Sequence, residues 1–368
     1  MSDYLTENKE RNKKGEFDKT DVLSVSGDYG IVNQIELLGR SFAGASVLPY
    51  HVVRHGNIVY TKSPLKEYPY GIVKANTGVD GIVSTLYAVY NIKNNVDAQF
   101  IEYYFSSANR TNRYFKPIVR IGAKHDMKIG NQEVLANKVT FPNLEEQTKI
   151  ASLFRFLDER ISTQSKIIED LKKLKCAIIE KLYAEVKGTK YFYRQLFNII
   201  NERNKQLEYS NVLSASQEKG MVSRDDLNLD IQFERSNINT YKIVRNGDYV
   251  IHLRSFQGGF AFSEKTGVCS PAYTILRPNG VLVYGYLSNY FTSRDFVKSL
   301  IIVTYGIRDG RSINVDEWLN MKVIIPSKEQ QTHIVNVIES IENKIKNEET
   351  YLNCLTNQKQ YLLRQMFI

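Results

Sequence analysis

The histidines and cysteines are the side chains best suited to bind a metal or attack a substrate, but their spacing argues against both roles. No histidine has the HExxH spacing of a zinc protease. Cys176, Cys269 and Cys354 are too far apart for a CxxC zinc site or a disulfide framework. His51 and His55 are four positions apart but lie beside a strand-like run, so a structural role is the more ordinary interpretation. The sequence therefore predicts no metal site.

The glycines and prolines exclude the common enzymes that bind nucleotides or methyl donors. An adenine methyltransferase needs an Asn/Asp-Pro-Pro-aromatic turn to hold the flipped base, and none of the eight prolines is adjacent to another. Gly258-Gly259 is the single glycine pair and lacks the GxGxxG form, and no GxxxxGKS or GxxxxGKT phosphate loop occurs. No motif of the chain therefore looks like an active site.

The net charge of +9 is concentrated outside two helix-like segments. Residues 144–187 carry nine Lys and Arg against eight Asp and Glu, and residues 327–368 carry five against five, so about +8 remains for the rest of the chain. Tyr and Phe are abundant there, and the combination favours a polyanion such as nucleic acid as the partner. No apolar run approaches the roughly 18 residues of a membrane span. We expect no membrane partner and, since the N-terminus is too polar for a secretory signal, a cytoplasmic protein.

The elements that must position these side chains occur twice in the chain. Residues 141–182 recur as 325–366, 184 positions later. In each copy a proline opens the segment, and a glutamine, a threonine and an isoleucine follow at the same spacing. The matched residues are Pro142 with Pro326, Gln147 with Gln331, Thr148 with Thr332 and Ile150 with Ile334. So faithful a repeat indicates pseudo-twofold symmetry.

Each repeated segment has the apolar periodicity of a helix of about 40 residues, or roughly 60 Å. The two stripes should pack on each other, and symmetry makes an antiparallel pair the natural arrangement. The predicted helix-pairing residues are Ile150, Leu153, Leu157, Leu171 and Ile178 in the first copy and Ile334, Val337, Ile341, Leu355 and Leu362 in the second. Gln164 and Glu348 interrupt the stripes at equivalent positions, either as a tolerated polar layer or as a device that fixes register.

A stretch of about 140 residues precedes each helix, and the two stretches align loosely. Short β-branched and aromatic runs between Gly, Asn and Pro predict mixed, mostly β globules, each with one helix in its second half. The clearest anchors are Glu10-Arg11-Asn12-Lys13 with Glu202-Arg203-Asn204-Lys205, and residues 50–57 with 241–248. We predict an α+β fold with two mixed α/β domains in pseudo-twofold repeat, joined by two long antiparallel coiled-coil helices. The predicted segments are domain 1–143, helix 144–187, domain 188–326 and helix 327–368.

A proline, then Glu/Gln-Gln-x-x-Ile, then a long helix with Leu/Ile-Asp/Glu-x-x-Ile, twice and each time behind a variable globule, is a distinctive pattern. It stands here as Pro142, Glu146-Gln147-Thr148-Lys149-Ile150 and Leu157-Asp158-Glu159-Arg160-Ile161, and again as Pro326, Gln330-Gln331-Thr332-His333-Ile334 and Ile341-Glu342-Asn343-Lys344-Ile345. Over essentially the whole chain, the pattern resembles the specificity subunit of type I restriction-modification systems.

The resemblance implies a noncatalytic reader of double-stranded DNA. Two target recognition domains would each read half of a split sequence, and the paired helices would set the gap between the halves. Such subunits dock two methylation subunits, which bring S-adenosylmethionine, and through them restriction subunits that use ATP and Mg²⁺. Any cofactor would therefore belong to the partners.

This chain departs from the pattern in two places. The second domain opens with an aromatic lead-in at 191–197, whereas the first domain has room only for Met1 to Leu5 at that place. The first strand of the first domain is therefore expected to be missing or shortened. Gln330 stands where the first copy has Glu146, which removes one charge from a partner contact.

Most candidate DNA-binding residues surround the loop before each long helix, and a separate reading loop is expected at residues 254–259 of the second domain, where Arg and Gln stand beside two glycines. Gly122-Ala123-Lys124 aligns with Gly306-Ile307-Arg308, and both copies keep a basic residue there. Basic side chains would contact phosphates, and a few Arg, Asn or Gln side chains would read base edges. The candidates are Arg110, Arg113, Lys116, Arg120 and Lys124 in the first domain and Arg254, Gln257, Arg294, Lys298, Arg308 and Arg311 in the second. The alternative for each is an ordinary solvated surface charge.

A second class of function also fits the helices: a coiled-coil adaptor that binds other proteins, or nucleic acid without sequence preference. It does not explain why two globules share a framework yet differ between its anchor points. A self-contained restriction-methylation enzyme is nearly excluded by the missing motifs. Salt-dependent DNA binding would separate a DNA reader from a protein adaptor.

Overall fold

A computed structural model of the protein describes residues 1–65, 68–121, 127–216, 219–224, 235–252, 259–305 and 312–367. The chain forms two compact units, residues 1–165 with 351–368 (unit 1) and residues 166–350 (unit 2). Each unit contains one globule, the start of the long helix that follows it and the end of the other long helix. The units therefore divide both long helices, whereas the sequence predicted four consecutive segments.

The globule of unit 1 is built from short strands followed by short helices. Its elements are β1 (Leu5–Glu7), β2 (Leu23–Ser26), β3 (Gly30–Asn33), α1 (Gln34–Leu38), β4 (His51–Val53), β5 (Ile58–Tyr60), β6 (Val73–Ala75), β7 (Gly81–Val83), β8 (Ala88–Ile92), α2 (Ala98–Phe105), α3 (Ala108–Phe115), β9 (Arg120–Ile121), β10 (Met127–Lys128) and α4 (Asn131–Ala136). An antiparallel sheet has the strand order β1-β8-β5-β6, and β2-β3, β4-β7 and β9-β10 form two-stranded ladders.

The helix α5 (Leu144–Ala184) leads to the second globule, which repeats this topology. The elements are β11 (Thr189–Phe192), α6 (Tyr193–Leu196), β12 (Phe197–Ile200), β13 (Leu213–Ser216), β14 (Gly220–Ser223), β15 (Lys242–Val244), β16 (Tyr249–Ile251), β17 (Phe260–Phe262), β18 (Gly267–Cys269), β19 (Thr274–Pro278), α7 (Tyr286–Tyr290), α8 (Arg294–Ser299), β20 (Thr304–Tyr305), β21 (Ser312–Ile313), α9 (Val315–Leu319), β22 (Lys322–Ile325) and α10 (Lys328–Met366). The sheet order β12-β19-β16-β17 matches that of unit 1 element by element. The predicted α+β fold with an internal repeat is confirmed.

Aromatic side chains between sheet and helices form the core of each globule. All residues of the central strands β5 and β16 are buried, as expected for strands covered on both faces. In unit 1 the ring of Tyr60 stacks on Phe115 with centroids 4.3 Å apart. In unit 2 Trp318, which is fully buried, stacks on Tyr193 at 4.2 Å. Such pairs add to the apolar burial that holds helices on the sheet.

The aromatic lead-in of the second globule forms a ladder of its own. Strand β11 pairs with β22, which ends just before α10, and β12 then enters the main sheet. A side chain at Gly188 would collide with the backbone of Ile325, so only glycine permits this close approach. In the described part of unit 1, β1 has three residues against four in β12, and no ladder equivalent to β11-β22 is present.

The long helices begin close after the two repeated prolines, as predicted, with 41 residues in α5 and 39 in α10. Within each unit they pair antiparallel. In unit 1 Lys359 pairs with Asp158, and Arg160 donates to the hydroxyl of Tyr351. In unit 2 Lys175 pairs with Glu342 at 2.5 Å and Lys172 with Glu349 at 2.7 Å. Asp158–Lys359 and Glu342–Lys175 are equivalent pairs of the repeat.

The buried stripe of the helices differs from the predicted one at its start. Leu153 is 39% exposed, whereas the neighbouring Phe154 is fully buried, and Ile338 is buried where Val337 is half-buried. After Leu157 the buried stripe advances by four residues to Ile161 and then by three to Gln164. In this alternation a step of three precedes Leu157, and it places Phe154 in the stripe. Of the other predicted positions, Leu157, Ile334 and Leu355 are buried, and Ile150, Leu171, Ile178, Ile341 and Leu362 are half-buried.

Candidate nucleic-acid interface

The loops that the repeat aligns lie at the ends of equivalent two-stranded ladders. In unit 1 β9 and β10 enclose residues 122–126, and Arg120 pairs with Lys128 across the ladder. In unit 2 β20 and β21 enclose residues 306–311. The two ladders occupy equivalent places in the chain, since each precedes a short helix, α4 or α9. The candidates Lys124, Arg308 and Arg311 lie outside the described residues, as do Arg254 and Gln257, which fall between β16 and β17.

Helix α3 carries two of the four described candidates of unit 1, Arg110 and Arg113, and Lys116 is its C-cap. Arg113 and Lys116 are exposed, and Arg110 is half-buried. Arg120 belongs to the ladder at the base of the loop, where its guanidinium lies 3.3 Å from Glu133. Because its side chain is 81% exposed, this ion pair leaves it free to exchange partners.

Helix α8 carries the described candidates of unit 2, Arg294 and Lys298, both exposed. The Nε of Arg294 lies 3.3 Å from a carboxylate oxygen of Glu180, which belongs to the end of α5. Unit 2 therefore presents this arginine partly neutralised.

Two further basic residues join Arg110 and Arg113, and the sequence did not predict them. All four line a cavity of about 610 Å³ in unit 1. Lys138 follows α4, and Arg364 comes from the last turn of α10. Lys116 and Arg120 do not line this cavity. The one signal in the sequence is a difference between the repeats, since Arg364 stands where the first copy has Glu180.

The guanidinium of Arg110 is held between aromatic rings rather than by an acidic partner. Its Cζ lies 4.8 Å from the ring centre of Tyr104 and 5.5 Å from that of Phe367. Burial, and to a smaller extent the neighbouring charge of Arg113, lower the pKa of Arg110 from its usual value. Its Nη1 is buried and has no hydrogen-bond acceptor among the described residues.

The repeated glutamines fasten the start of each long helix to its own globule. Gln147 is fully buried, accepts from the amide of Asp97 at 3.0 Å, and donates to the carbonyls of Asn95 and Pro142 at 3.1 and 2.9 Å. Gln331 makes the same three bonds, to Val283, Val281 and Pro326, at 2.8, 3.2 and 3.0 Å. The most exact part of the motif is therefore internal structure. Glu146 and Gln330, beside them, are exposed.

Other kinds of site are not found in the described residues. They contain no cluster of three or more His, Cys, Asp or Glu side chains that could hold a metal ion. The described helices also include none with both the length and the apolarity to cross a membrane.

Known structures share this fold at low sequence identity. A chain of a type I R-M system, solved in a study of its complex assembly and conformational transition, has 14% identity and a TM-score of 0.60, with 99% of this chain and 95% of that one covered. The S subunit of a type I restriction-modification system from M. genitalium has 12% identity and a TM-score of 0.53, with 100% and 94% covered. The HsdS subunit from Thermoanaerobacter tengcongensis has 16% identity and a TM-score of 0.48, with 86% and 81% covered.

Sequence comparison gives no match. No protein-family model matches the chain, and no curated protein is significantly similar to it. The likeness to the type I R-M chain and to the M. genitalium S subunit is one of fold, and it extends over nearly the whole of this chain.

Proposed function

We propose that this chain is the noncatalytic specificity subunit of a type I restriction-modification system. It would read a split, asymmetric target in double-stranded DNA, one half with each globule. The observation that carries the proposal is the internal repeat. The two globules have the same strand order and the same hydrogen bonds from a buried glutamine at the start of the long helix, yet they differ in their basic side chains. A shared framework with different surface chemistry is what two readers of two different half-sites require.

The DNA-contacting surface would include the loops at 122–126 and 306–311 and the exposed cations of α3 and α8. Arg113, Lys116 and Lys298 have exposed side chains, which suits contacts to phosphates. Base reading would fall to a smaller set that includes Arg254 and Gln257, since Arg and Gln can make paired hydrogen bonds to guanine and adenine edges.

The helices would set the distance between the half-sites. Two modules that read the same groove from one face of a duplex lie about one helical turn, roughly 34 to 36 Å, apart. Two methylation subunits would dock on the chain and bring S-adenosylmethionine, and restriction subunits that use ATP and Mg²⁺ would join through them. As part of such a complex the chain would act in the cytoplasm, without a membrane partner.

The test is genome-wide adenine methylation, mapped by single-molecule sequencing in cells that express this chain with its neighbouring methyltransferase. We expect a new two-part motif with a fixed gap, which disappears when this chain is omitted. An active methyltransferase that yields no gapped motif would contradict the proposal and favour the adaptor.

A variant of the same experiment tests the role of the helices. An insertion of four residues in α5, matched by four in α10, should keep the apolar stripes in phase because four residues are about one turn. The expected result is a changed gap with both half-sites unaltered. Altered half-sites would show that the helices do more than separate the readers.

A further inference from the structure

The cavity of unit 1 that contains Arg110 has an internal control in unit 2. Tyr104 and Arg110 stand three residues before and after Ser107, the N-cap of α3, and Tyr290 and Phe296 stand likewise around Ser293, the N-cap of α8. The repeat of the long helices equates Leu363 and Arg364 with Ile179 and Glu180. The same place in the fold can therefore be compared in both units.

Unit 2 fills this place with apolar and neutralised groups. Phe296 is fully buried and its ring centre lies 5.4 Å from that of Tyr290. Ile179 is buried, and Glu180 is paired with Arg294 at 3.3 Å. The framework therefore needs no positive charge here.

Unit 1 places four cations at the same location without neutralising them. Arg110, Arg113, Lys138 and Arg364 line the cavity, and no acidic residue is among the described residues that line it. A buried donor without an acceptor and several like charges close together both cost stability. Unit 2 shows that the fold can avoid this cost. A bound anion would offset it in unit 1 by neutralising the cations and accepting their hydrogen bonds.

From this geometry we infer that the cavity between α3 and the end of α10 in unit 1 binds a phosphate group. Several guanidinium groups in one cavity match a tetrahedral oxyanion, since each can donate paired hydrogen bonds to its oxygens. Ser107, Asn109 and Asn137 add neutral polar groups to the lining. A cavity of about 610 Å³ is larger than one phosphate, so the ligand would carry further atoms, as in a diphosphate or a polynucleotide backbone.

The phosphate could come from a free phosphorylated molecule or from the DNA backbone. In the second case the inference rests on the proposed function and identifies one of its backbone contacts. In the first case it is independent of that function. Unit 2, with Phe296 and Glu180, should have no such site in either case.

The experiment compares the full chain with Arg110→Phe, which copies unit 2, and with Lys9→Ala, which removes one exposed charge of unit 1 away from the cavity. Pyrophosphate is titrated by calorimetry at constant ionic strength, and binding to duplex DNA is measured as a function of salt. We expect Arg110→Phe to fold, because unit 2 accommodates Phe296 at the equivalent position. We expect Lys9→Ala to behave as the unaltered chain. Should Arg110→Phe not fold, Arg364→Glu, which copies Glu180, replaces it.

The outcomes separate the two sources. Pyrophosphate binding that is weakened at least tenfold by Arg110→Phe alone, with DNA binding unchanged, supports a free ligand. A slope of log affinity against log salt that falls by about one in Arg110→Phe alone supports a backbone phosphate. If neither property differs between Arg110→Phe and Lys9→Ala, the inference is wrong. Pyrophosphate binding by a chain that binds no DNA would refute the proposed function and leave this site in place.

Discussion

At the turn before the central strand of the four-stranded sheet, the two globules carry different side-chain pairs. In unit 1 the side-chain NH₂ group of Asn57 donates a hydrogen bond to the side-chain oxygen of Asn91 at 3.0 Å. At the equivalent position in unit 2, Asp248 accepts two bonds from the guanidinium of Arg277, both at 2.9 Å. A neutral pair in one unit is a partly buried ion pair in the other, although the strands around them are paired in the same register.

What the two sites share shows what the framework requires. Asn57 and Asp248 each accept a hydrogen bond of 2.8 Å from the amide three residues before, which closes the turn into the central strand. The side chains of those residues, Arg54 and Arg245, share one equivalent ion pair, with Glu10 and Glu202 at 2.8 Å, and Arg54 pairs with Glu16 and Asp80 as well. The turn is thus held constant, and the second partner of the turn residue is free to differ. Variation of this kind allows one fold to carry two different surfaces.

The largest effect is expected where unit 2 uses charge. Asp248 is 2% exposed and its partner Arg277 is one-third exposed, so Asp248→Asn leaves a partly buried guanidinium without its carboxylate. We expect a loss of about 3 kcal/mol in the free energy of unfolding. Urea unfolding followed by the fluorescence of Trp318, the single tryptophan, measures this in unit 2.

The double variant Asp248→Asn with Arg277→Asn copies unit 1 and provides the control. It should recover part of the lost stability, since both charges are gone and the two amides can pair as Asn57 and Asn91 do. A double variant no more stable than Asp248→Asn alone would mean that the two units are not interchangeable at this site.

A second difference concerns His51 and its counterpart Lys242, each at the start of an equivalent strand. Lys242 donates to the carbonyl of Tyr273 at 2.7 Å, whereas the Nδ1 of His51 is buried without a partner among the described residues. Burial, and then the nearby charges of Arg11 and Lys62, lower the pKa of His51 to about 4 from its usual 6.5. His51 is therefore neutral in the folded protein at neutral pH.

The sign of the pH effect follows from this depressed pKa. Between pH 6.5 and 4 the unfolded chain binds a proton that folded His51 does not, so stability falls as the pH is lowered through this range and levels off below it. At pH 5 the loss should be about 2 kcal/mol relative to pH 7. Subtracting the pH profile of His51→Leu from that of the unaltered chain isolates the effect from other titrating groups. A difference that stays constant from pH 7 to 5 would show that folding leaves the pKa of His51 unchanged.

The local parts of the fold could be predicted from the sequence, and the parts made by distant segments could not. The helices follow from periodicity within about 40 residues, and the repeat follows from comparing the chain with itself. The error of one residue at Leu153 arose because Leu153 and Phe154 are both apolar and both fit a helical stripe that contains Ile150 and Leu157. Which of the two is buried depends on what the globule packs against the helix.

The surroundings of Gln147 and Arg110 could be identified only from the tertiary structure. Gln147 recurs in the motif, but its partners Asn95 and Asp97 are some fifty residues away, and nothing in the sequence places them beside the start of α5. The cavity is likewise assembled from residues near 110, 138 and 364. A mismatch between otherwise faithful repeats, such as Glu180 against Arg364, was the clue available beforehand.

The smallest expected effect on stability, and the sharpest on function, concerns Arg294 and Glu180 in unit 2. The pair is exposed, with 81% of the Arg294 side chain accessible, so replacing either residue with Ala should change the free energy of unfolding by less than about 0.5 kcal/mol.

Under the proposed function the two substitutions, Arg294→Ala and Glu180→Ala, should have opposite effects on DNA binding. Arg294→Ala removes a phosphate contact and should lower the salt slope by about one, whereas Glu180→Ala frees Arg294 and should strengthen binding. Fluorescence anisotropy of a labelled duplex over a salt series measures both. If the two variants bind DNA equally well, Arg294 does not contact DNA. The exchange of Glu180 in unit 2 for Arg364 in unit 1 would then matter only for the phosphate cavity proposed in unit 1.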